Sequence, residues 1–349
     1  SMELTDDKTL KIKGPISWKE AKAYLRTKGR NIMTAPTEDL ALISAGAATS
    51  ATGERCFKFG NLRSQIKNIS YLNFNGEEKT LSSSEVINYE DTQQVEFLKA
   101  YQEKLTPYSE FKNAPFPRFE FETDLMIGTE GQLGIITELE LKTTEDSPVN
   151  HMFMLLPKWE DEYQQHLKII DKIQAFRDEV ILCEFIDSNS FEYLPKEDRP
   201  NQGKDVLFFE VLSEHFEAFY EKFLLDLDFL NEEEVFELSE VKFHQIRASI
   251  PRAVFEENSK QGVTKMGTDL QLRTTEFKEL LDIYRDFAKS DVRYNLFGHF
   301  GDCHLHFNFM PNTNQTKDCQ EQFENMYREV VKLKGSPFAE HGIGIIKQK

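Results

Sequence analysis

Gly298-His299-Phe300-Gly301-Asp302-Cys303-His304-Leu305-His306-Phe307-Asn308-Phe309 combines a turn, an alternating run and three histidines within twelve residues. The glycines at 298 and 301 mark a turn. From Cys303 onward the residues alternate at the period of a β-strand: Cys303, Leu305, Phe307 and Phe309 form an apolar face, and His304, His306 and Asn308 line the other. The turn brings His299 beside that polar face. Four of the eight histidines, His299, His304, His306 and His341, fall in the last 51 residues. Imidazoles two apart on one strand face can meet a single ion, and Glu340-His341-Gly342-Ile343-Gly344 offers a carboxylate to complete an N/O site suited to Zn²⁺, Mn²⁺ or Fe²⁺. A lone strand histidine reads more simply as solvent-facing, but a cluster of them favours the metal. Cys303, flanked by apolar strand residues, reads as core rather than ligand.

Outward from this stretch, the chain alternates strand-like runs with amphipathic helices. Strands are expected over 8–13, 69–74 with an Asn75-Gly76 hairpin turn, 135–141, 152–156 and 206–211. Ser17 with Glu20 three residues on is a capping box, and Trp18, Ala21 and Leu25 share one face of the helix that follows, which stops at Gly29. Further helices are expected over 92–105, 161–176 and 214–227, and the proline-bearing segment 108–118 reads as an irregular loop. The polar run from Thr143 to Pro148 separates two expected domains, 1–145 and 146–349. Sheet and helices are both needed to bury these faces, so the fold class is α+β.

Composition narrows the function. A net charge of −18 disfavours binding to phosphate backbones, so nucleic acid is set aside as a partner. No stretch reaches the roughly 20 apolar residues that cross a bilayer. Cys56, Cys183, Cys303 and Cys319 are scattered without a CxxC pair, which fits a reducing compartment and a cytoplasmic location.

Two small-residue stretches offer backbone to a large flat or phosphorylated ligand: Ala45-Gly46-Ala47-Ala48-Thr49-Ser50-Ala51-Thr52-Gly53, and Gly128-Thr129-Glu130-Gly131-Gln132-Leu133-Gly134. Neither is a Walker loop, and GxxGxxG is not the dinucleotide fingerprint. Each alone reads as a tight turn.

Together these residues resemble the FAD-linked oxidases of the vanillyl-alcohol-oxidase (PCMH) type, in the branch of D-lactate, glycolate and D-2-hydroxyglutarate dehydrogenases. Asp124 to Thr137 looks like the end of that family's FAD domain, Gly298 to Asn308 like its metal-binding strand, and Glu340 to Gly344 like its Glu-His-Gly. The resemblance implies the later part of a PCMH-type FAD-binding domain, an antiparallel sheet plus helices, over 1–145. An FAD-linked-oxidase C-terminal domain, an antiparallel sheet covered by helices, follows over 146–349. It implies flavin contacts from Ala45, Gly46, Ala48, Thr49, Ser50, Gly53 and Gly60, and from Gly128, Glu130, Gly131, Gly134 and Ile135. His299, His306 and Glu340 would hold a divalent metal, His341 would be the base, and Arg247 and Lys265 would bind the carboxylate of a small 2-hydroxy acid. Against that pattern, the family's N-terminal pyrophosphate loop and C-terminal tail are expected to be missing here, and its strand has Asn where this chain has His304.

The implied reaction is oxidation of a D-2-hydroxy acid to the 2-oxo acid, with metal-assisted deprotonation and hydride transfer to FAD; the electron acceptor is unnamed, and a second subunit or a homodimer is compatible. The alternatives are a flavin-free, metal-dependent hydrolase built on the same residues and a non-catalytic binding module.

Overall fold

The computed structural model describes residues 1–5, 8–88, 95–111 and 118–344. The chain divides into two compact units, Ser1–Asp146 with Phe338–Lys349, and Ser147–Pro337. The segment carrying Glu340 and His341, expected with the second domain, is grouped with the first unit.

The first unit is built on a five-stranded antiparallel sheet. Its strands are β1 (Met2–Leu4), β2 (Thr9–Lys13), β4 (Ile66–Leu72), β5 (Glu78–Ser82) and β6 (Ile135–Lys142), in the order β1-β2-β6-β4-β5. β3 (Arg30–Asn31) and β7 (Thr144–Glu145) form a separate two-stranded pair. Helix α1 (Trp18–Arg26) starts at the expected capping box: Ser17 Oγ accepts from the Glu20 backbone N–H at 3.3 Å, and Glu20 Oε2 accepts from the Ser17 N–H at 2.8 Å. Its face of Trp18, Ala21 and Leu25 joins Leu10, Ile12, Ile66, Ile69, Leu139 and Leu141 in one buried core. Each aliphatic side chain withdrawn from water there contributes about 1.5–3 kcal/mol. In the β4–β5 turn, Asn73 Oδ1 accepts from the N–H groups of Asn75 and Glu77 at 2.9 and 3.0 Å.

Three short helices complete the described part of this unit: α2 (Ile43–Ala48), α3 (Cys56–Phe59) and α4 (Val95–Leu105). Of the expected helix 92–105, residues 92–94 lie outside the described residues, as do 112–117 of the expected loop. Four of the nine residues of the Ala45–Gly53 stretch, expected as a tight turn, lie in helix α2, whose residues Ile43, Gly46 and Ala47 are buried.

The second unit is a seven-stranded antiparallel sheet. It comprises β8 (Val149–Leu156), β9 (Val180–Ile186), β10 (Asp205–Leu212), β11 (Val235–Leu238), β12 (Met266–Gly267), β13 (Arg293–His299) and β14 (His304–Met310). The order is β11-β8-β10-β9-β13-β14-β12. Its helices are α5 (Gln164–Ile173), α6 (Ser188–Phe191), α7 (Phe216–Leu224), α8 (Glu240–Gln261), α9 (Phe277–Ala288) and α10 (Thr316–Lys332).

Aromatic packing assigns the two faces of this sheet. On one, Tyr284 of α9 stacks on Phe307 with ring centroids 4.9 Å apart, Phe287 meets Phe309 at 4.6 Å, and Phe219 and Phe223 of α7 meet Phe209. On the other, Phe243, Ile246, Ile250 and Val254 of α8 pack with Phe153, Leu182 and Phe208. Residues two apart on a strand share a face, so His151, Glu184 and Glu210 lie on the α8 side of the sheet. Mixed helices and antiparallel sheets make the fold α+β.

Candidate active site

The expected strand is β14, and its alternation holds, yet every residue from His304 to Met310 is buried. Covered on both faces, the histidines are not a solvent-facing row. One detail differs from expectation: Cys303 precedes the strand, in the left-handed region at φ 52°, because the chain closes the β13–β14 turn through a short 3₁₀ segment over 300–302. It is fully buried, as a core residue should be.

Register brings the imidazoles together. His299 and His304 are direct partners across β13–β14, and Phe297 faces His306, so the three rings share the α8 side of the hairpin. Ring centroids are 5.3 Å apart for His299 and His304, 5.8 Å for His299 and His306, and 4.6 Å for His304 and His306. Each ring offers a nitrogen within 4.8 Å of the nitrogens offered by the other two.

Buried oxygens stand behind the rings. His299 Nδ1 lies 2.7 Å from Glu184 Oε1, His304 Nε2 lies 3.3 Å from Asp269 Oδ1, and His306 Nδ1 lies 3.4 Å from the Thr268 carbonyl oxygen. If Nδ1–H of His299 donates to Glu184, Nε2 carries the lone pair, the arrangement that orients a metal-ligating histidine. Thr268 and Asp269 arrive because β12 pairs with β14, Gly267 opposite Asn308. Arg247 of α8, also buried, approaches Glu184 at 3.7 Å and lies 5.9 Å over the Phe243 ring. An ordinary surface cation is thereby excluded for Arg247. Much of Lys265 remains accessible, yet crowding around its ammonium removes water and pushes its pKa down.

Glu184 and Asp269 were not among the residues expected from sequence. A lone carboxylate within Val-Ile-Leu-Cys-Glu-Phe-Ile, an otherwise apolar strand, is the signal that points to Glu184. Its neighbour Cys183 is unsuited to share a ligand's role, since burial pushes its thiol well above the usual range.

Gly298 sets how closely the hairpin closes. At φ +141°, its place for a Cβ lies 2.9 Å from the His304 carbonyl oxygen and 3.2 Å from His306 Cδ2. Gly298→Ala is expected to lower the unfolding free energy by about 1–3 kcal/mol, read from denaturant melts, because backbone strain and this collision must both be absorbed. An unchanged midpoint would show that the hairpin has room to spare.

In the first unit, the two small-residue stretches meet through their backbones: the Gly128 N–H donates to the Ala47 carbonyl at 3.1 Å, and that of Glu130 to the Ala48 carbonyl at 2.8 Å. Three of the glycines are accounted for by the protein itself. A Cβ at Gly46 would meet Trp18, one at Gly53 would meet the Ala35 carbonyl and Pro36, and one at Gly134 the Leu72 carbonyl. Ala45, Gly60, Gly131 and Ile135 are exposed, and Ala48, Thr49, Gly128 and Glu130 are half-buried, whereas Ser50 is buried. The small side chains of Ala45, Ala48 and Thr49 leave the paired backbones approachable to a flat ring system. Glu130 also reaches the Glu340–Gly344 segment: its Oε1 accepts from the Ile343 N–H at 2.6 Å and its Oε2 from the Gly344 N–H at 2.7 Å.

Residues 207–349 match the family of FAD linked oxidases, C-terminal domain. A D-2-hydroxyglutarate dehydrogenase from Xanthomonas citri pv. viticola is 23% identical over 330 aligned positions, covering 88% of this chain and 61% of that protein. A D-lactate dehydrogenase from Anaerostipes hadrus is also 23% identical, covering 88% of this chain and 62% of that protein. A D-2-hydroxyglutarate–pyruvate transhydrogenase from Saccharomyces cerevisiae is 28% identical over 252 positions, covering 64% and 49%. The solved structure of an alkyldihydroxyacetonephosphate synthase superposes with a TM-score of 0.66 at 15% identity, covering 96% of this chain and 62% of that one, a likeness of fold. The chain is thus similar to the FAD-linked oxidases over residues 207–349, and to proteins named as D-2-hydroxyglutarate and D-lactate dehydrogenases along most of its length. It spans about three fifths of the length of the first two of these relatives.

Proposed function

We propose that this chain forms the substrate-binding part, and a portion of the flavin-binding part, of an FAD-dependent dehydrogenase that oxidises a small D-2-hydroxy acid to the 2-oxo acid. The observation that carries this reading is the buried convergence of His299, His304 and His306, backed by Glu184 and Arg247. FAD, when bound, supplies the acceptor for the hydride that leaves Cα. A divalent cation, Zn²⁺, Mn²⁺ or Fe²⁺, would supply a Lewis acid, and by resemblance His299, His306 and Glu340 would be the residues to hold it.

The remaining work falls to side chains of this chain. His341 accepts the proton of the substrate hydroxyl, so hydroxyl proton and Cα hydride together account for the two electrons and two hydrogens removed. Arg247 and Lys265 hold the substrate carboxylate: the guanidinium fork suits two carboxylate oxygens, and the ammonium adds a point charge. His304, where the family has Asn, adds a third imidazole to the same face. Ala45 to Gly53, Gly60, and Gly128 to Ile135 offer backbone to the flavin. All four cysteines are buried and far apart in sequence, which supports a reducing compartment, the cytosol. Among the described residues no helix is long and apolar enough to cross a membrane.

The test is anaerobic mixing of the FAD-supplemented protein with D- and L-2-hydroxyglutarate and with D-lactate. A D-acid is expected to bleach the oxidised flavin while the L-acid leaves it coloured. A flavin that stays oxidised with every D-acid sinks the proposal, and ester hydrolysis by colourless protein would favour the hydrolase instead.

A further inference from the structure

Away from His299, His304 and His306, the α8 side of the same sheet carries a second cluster. His151 of β8 and Glu210 of β10 are direct cross-strand partners, and His244 of α8 closes over them. His151 Nε2 lies 3.7 Å and His244 Nε2 3.8 Å from the same Glu210 oxygen, Oε1, and the two rings are 5.5 Å apart. The ligand atoms of the trio all lie within 4.8 Å of one another. Glu210 is 1% and His151 5% exposed, and His151 Nε2 is buried with no hydrogen-bond partner.

At 3.7 and 3.8 Å these distances are too long for hydrogen bonds, which are already lost at about 3.6 Å. They approach the separation of roughly 3.3 Å that two ligand atoms adopt around a tetrahedral ion with bonds of about 2.0–2.1 Å. The geometry points to a second divalent-cation site, formed by His151, Glu210 and His244 and suited by its two nitrogens and one oxygen to Zn²⁺. The side chain of His244 is 40% exposed, so the ion has an entry path and water can fill the fourth position.

Such an ion clips α8 to two central strands. Arg247, which approaches Glu184 behind His299, sits one turn further along that helix. The second site therefore steadies the turn of α8 that presents Arg247, and it holds its ion independently of the first.

The test uses the full chain, freed of metal and titrated with Zn²⁺ alone against a competing chelator. Wild type is expected to take up one equivalent more than His244→Ala, and Zn²⁺ should raise the melting temperature of wild type by more than that of the variant. His244 lies at the surface, so its replacement leaves the core intact; Glu210→Gln, a near-isosteric change, checks the buried ligand. His244→Cys should restore the equivalent and, with Co²⁺, add a thiolate-to-metal absorption band. His306→Ala should lose only the equivalent belonging to the other cluster. Equal Zn²⁺ uptake by wild type and His244→Ala would overturn the second site, whatever happens at His306.

Discussion

Substituting alanine for His299 is expected to lower kcat/KM for the D-2-hydroxy acid by about 10³-fold, since a Lewis-acid ion contributes several kcal/mol and each 1.36 kcal/mol is tenfold. His299 stands at the end of β13, held by Glu184 at 2.7 Å and facing His304 across the hairpin. Removing its ring deletes one ligand of the proposed cation and leaves the buried Glu184 carboxylate with Arg247 at 3.7 Å. Stability should therefore fall as well, by about 1–3 kcal/mol for the lost partner. The two effects separate in the Glu184→Gln variant, which keeps the His299 ring and exchanges a charged acceptor for a neutral one. There metal affinity should drop by roughly 10- to 100-fold, as for other groups that orient a ligating histidine. Metal content, turnover and a denaturant melt on both variants make the comparison. A His299→Ala protein with wild-type turnover per bound flavin would end the assignment of this residue as a ligand.

The fold was legible in the sequence wherever periodicity and local chemistry agreed. The Ser17/Glu20 capping box, the Asn75-Gly76 turn and the alternating run at His304–Phe309 each carry their conformation within a few residues, and the structure shows all three. Burial across the sheet was not legible, because it depends on what covers each face. His304, His306 and Asn308 were expected on a polar face, which suggests solvent for any one of them; in the folded chain all three are buried, as Leu305 and Phe307 are.

The carboxylates behind the imidazoles were missed for a related reason. Glu184 and His299 are 115 positions apart and meet through the pairing of β9 with β13, in which Phe185 faces Gly298 and Ile186 faces Phe297. Nothing local encodes that register. The same holds for His151 and Glu210, which meet only because β8 and β10 pair. In both cases the usable trace is a charged residue stranded in an apolar strand. The glycine-rich stretches carried the opposite difficulty: Gly46, Gly53 and Gly134 look like ligand-facing residues in sequence, yet Trp18, the Ala35 carbonyl and the Leu72 carbonyl each occupy the space a side chain would need.

Glu130→Ala is expected to cut kcat by about 10²-fold while changing KM little, the penalty for displacing a reacting group by about 1 Å. Glu130 occupies the left-handed region at φ 52°, and its own N–H is fixed to the Ala48 carbonyl. From there its two carboxylate oxygens take the Ile343 and Gly344 N–H groups, one each. Gly342 passes so close that a Cβ there would lie 2.7 Å from Glu130 Oε1. One side chain thus ties the Gly128–Gly134 stretch to the segment bearing Glu340 and His341. Hydrogen bonds to a charged acceptor are each worth about 1.5–3 kcal/mol, so alanine frees a segment that Glu130 now holds at two points. Glu130→Gln keeps one acceptor and should recover part of the rate. The resemblance to FAD-linked oxidases implies a different role, contact with the flavin itself. That role predicts weaker FAD binding with normal turnover per bound flavin, so FAD affinity and kcat measured on the same two variants distinguish a residue that positions His341 from one that grips the cofactor.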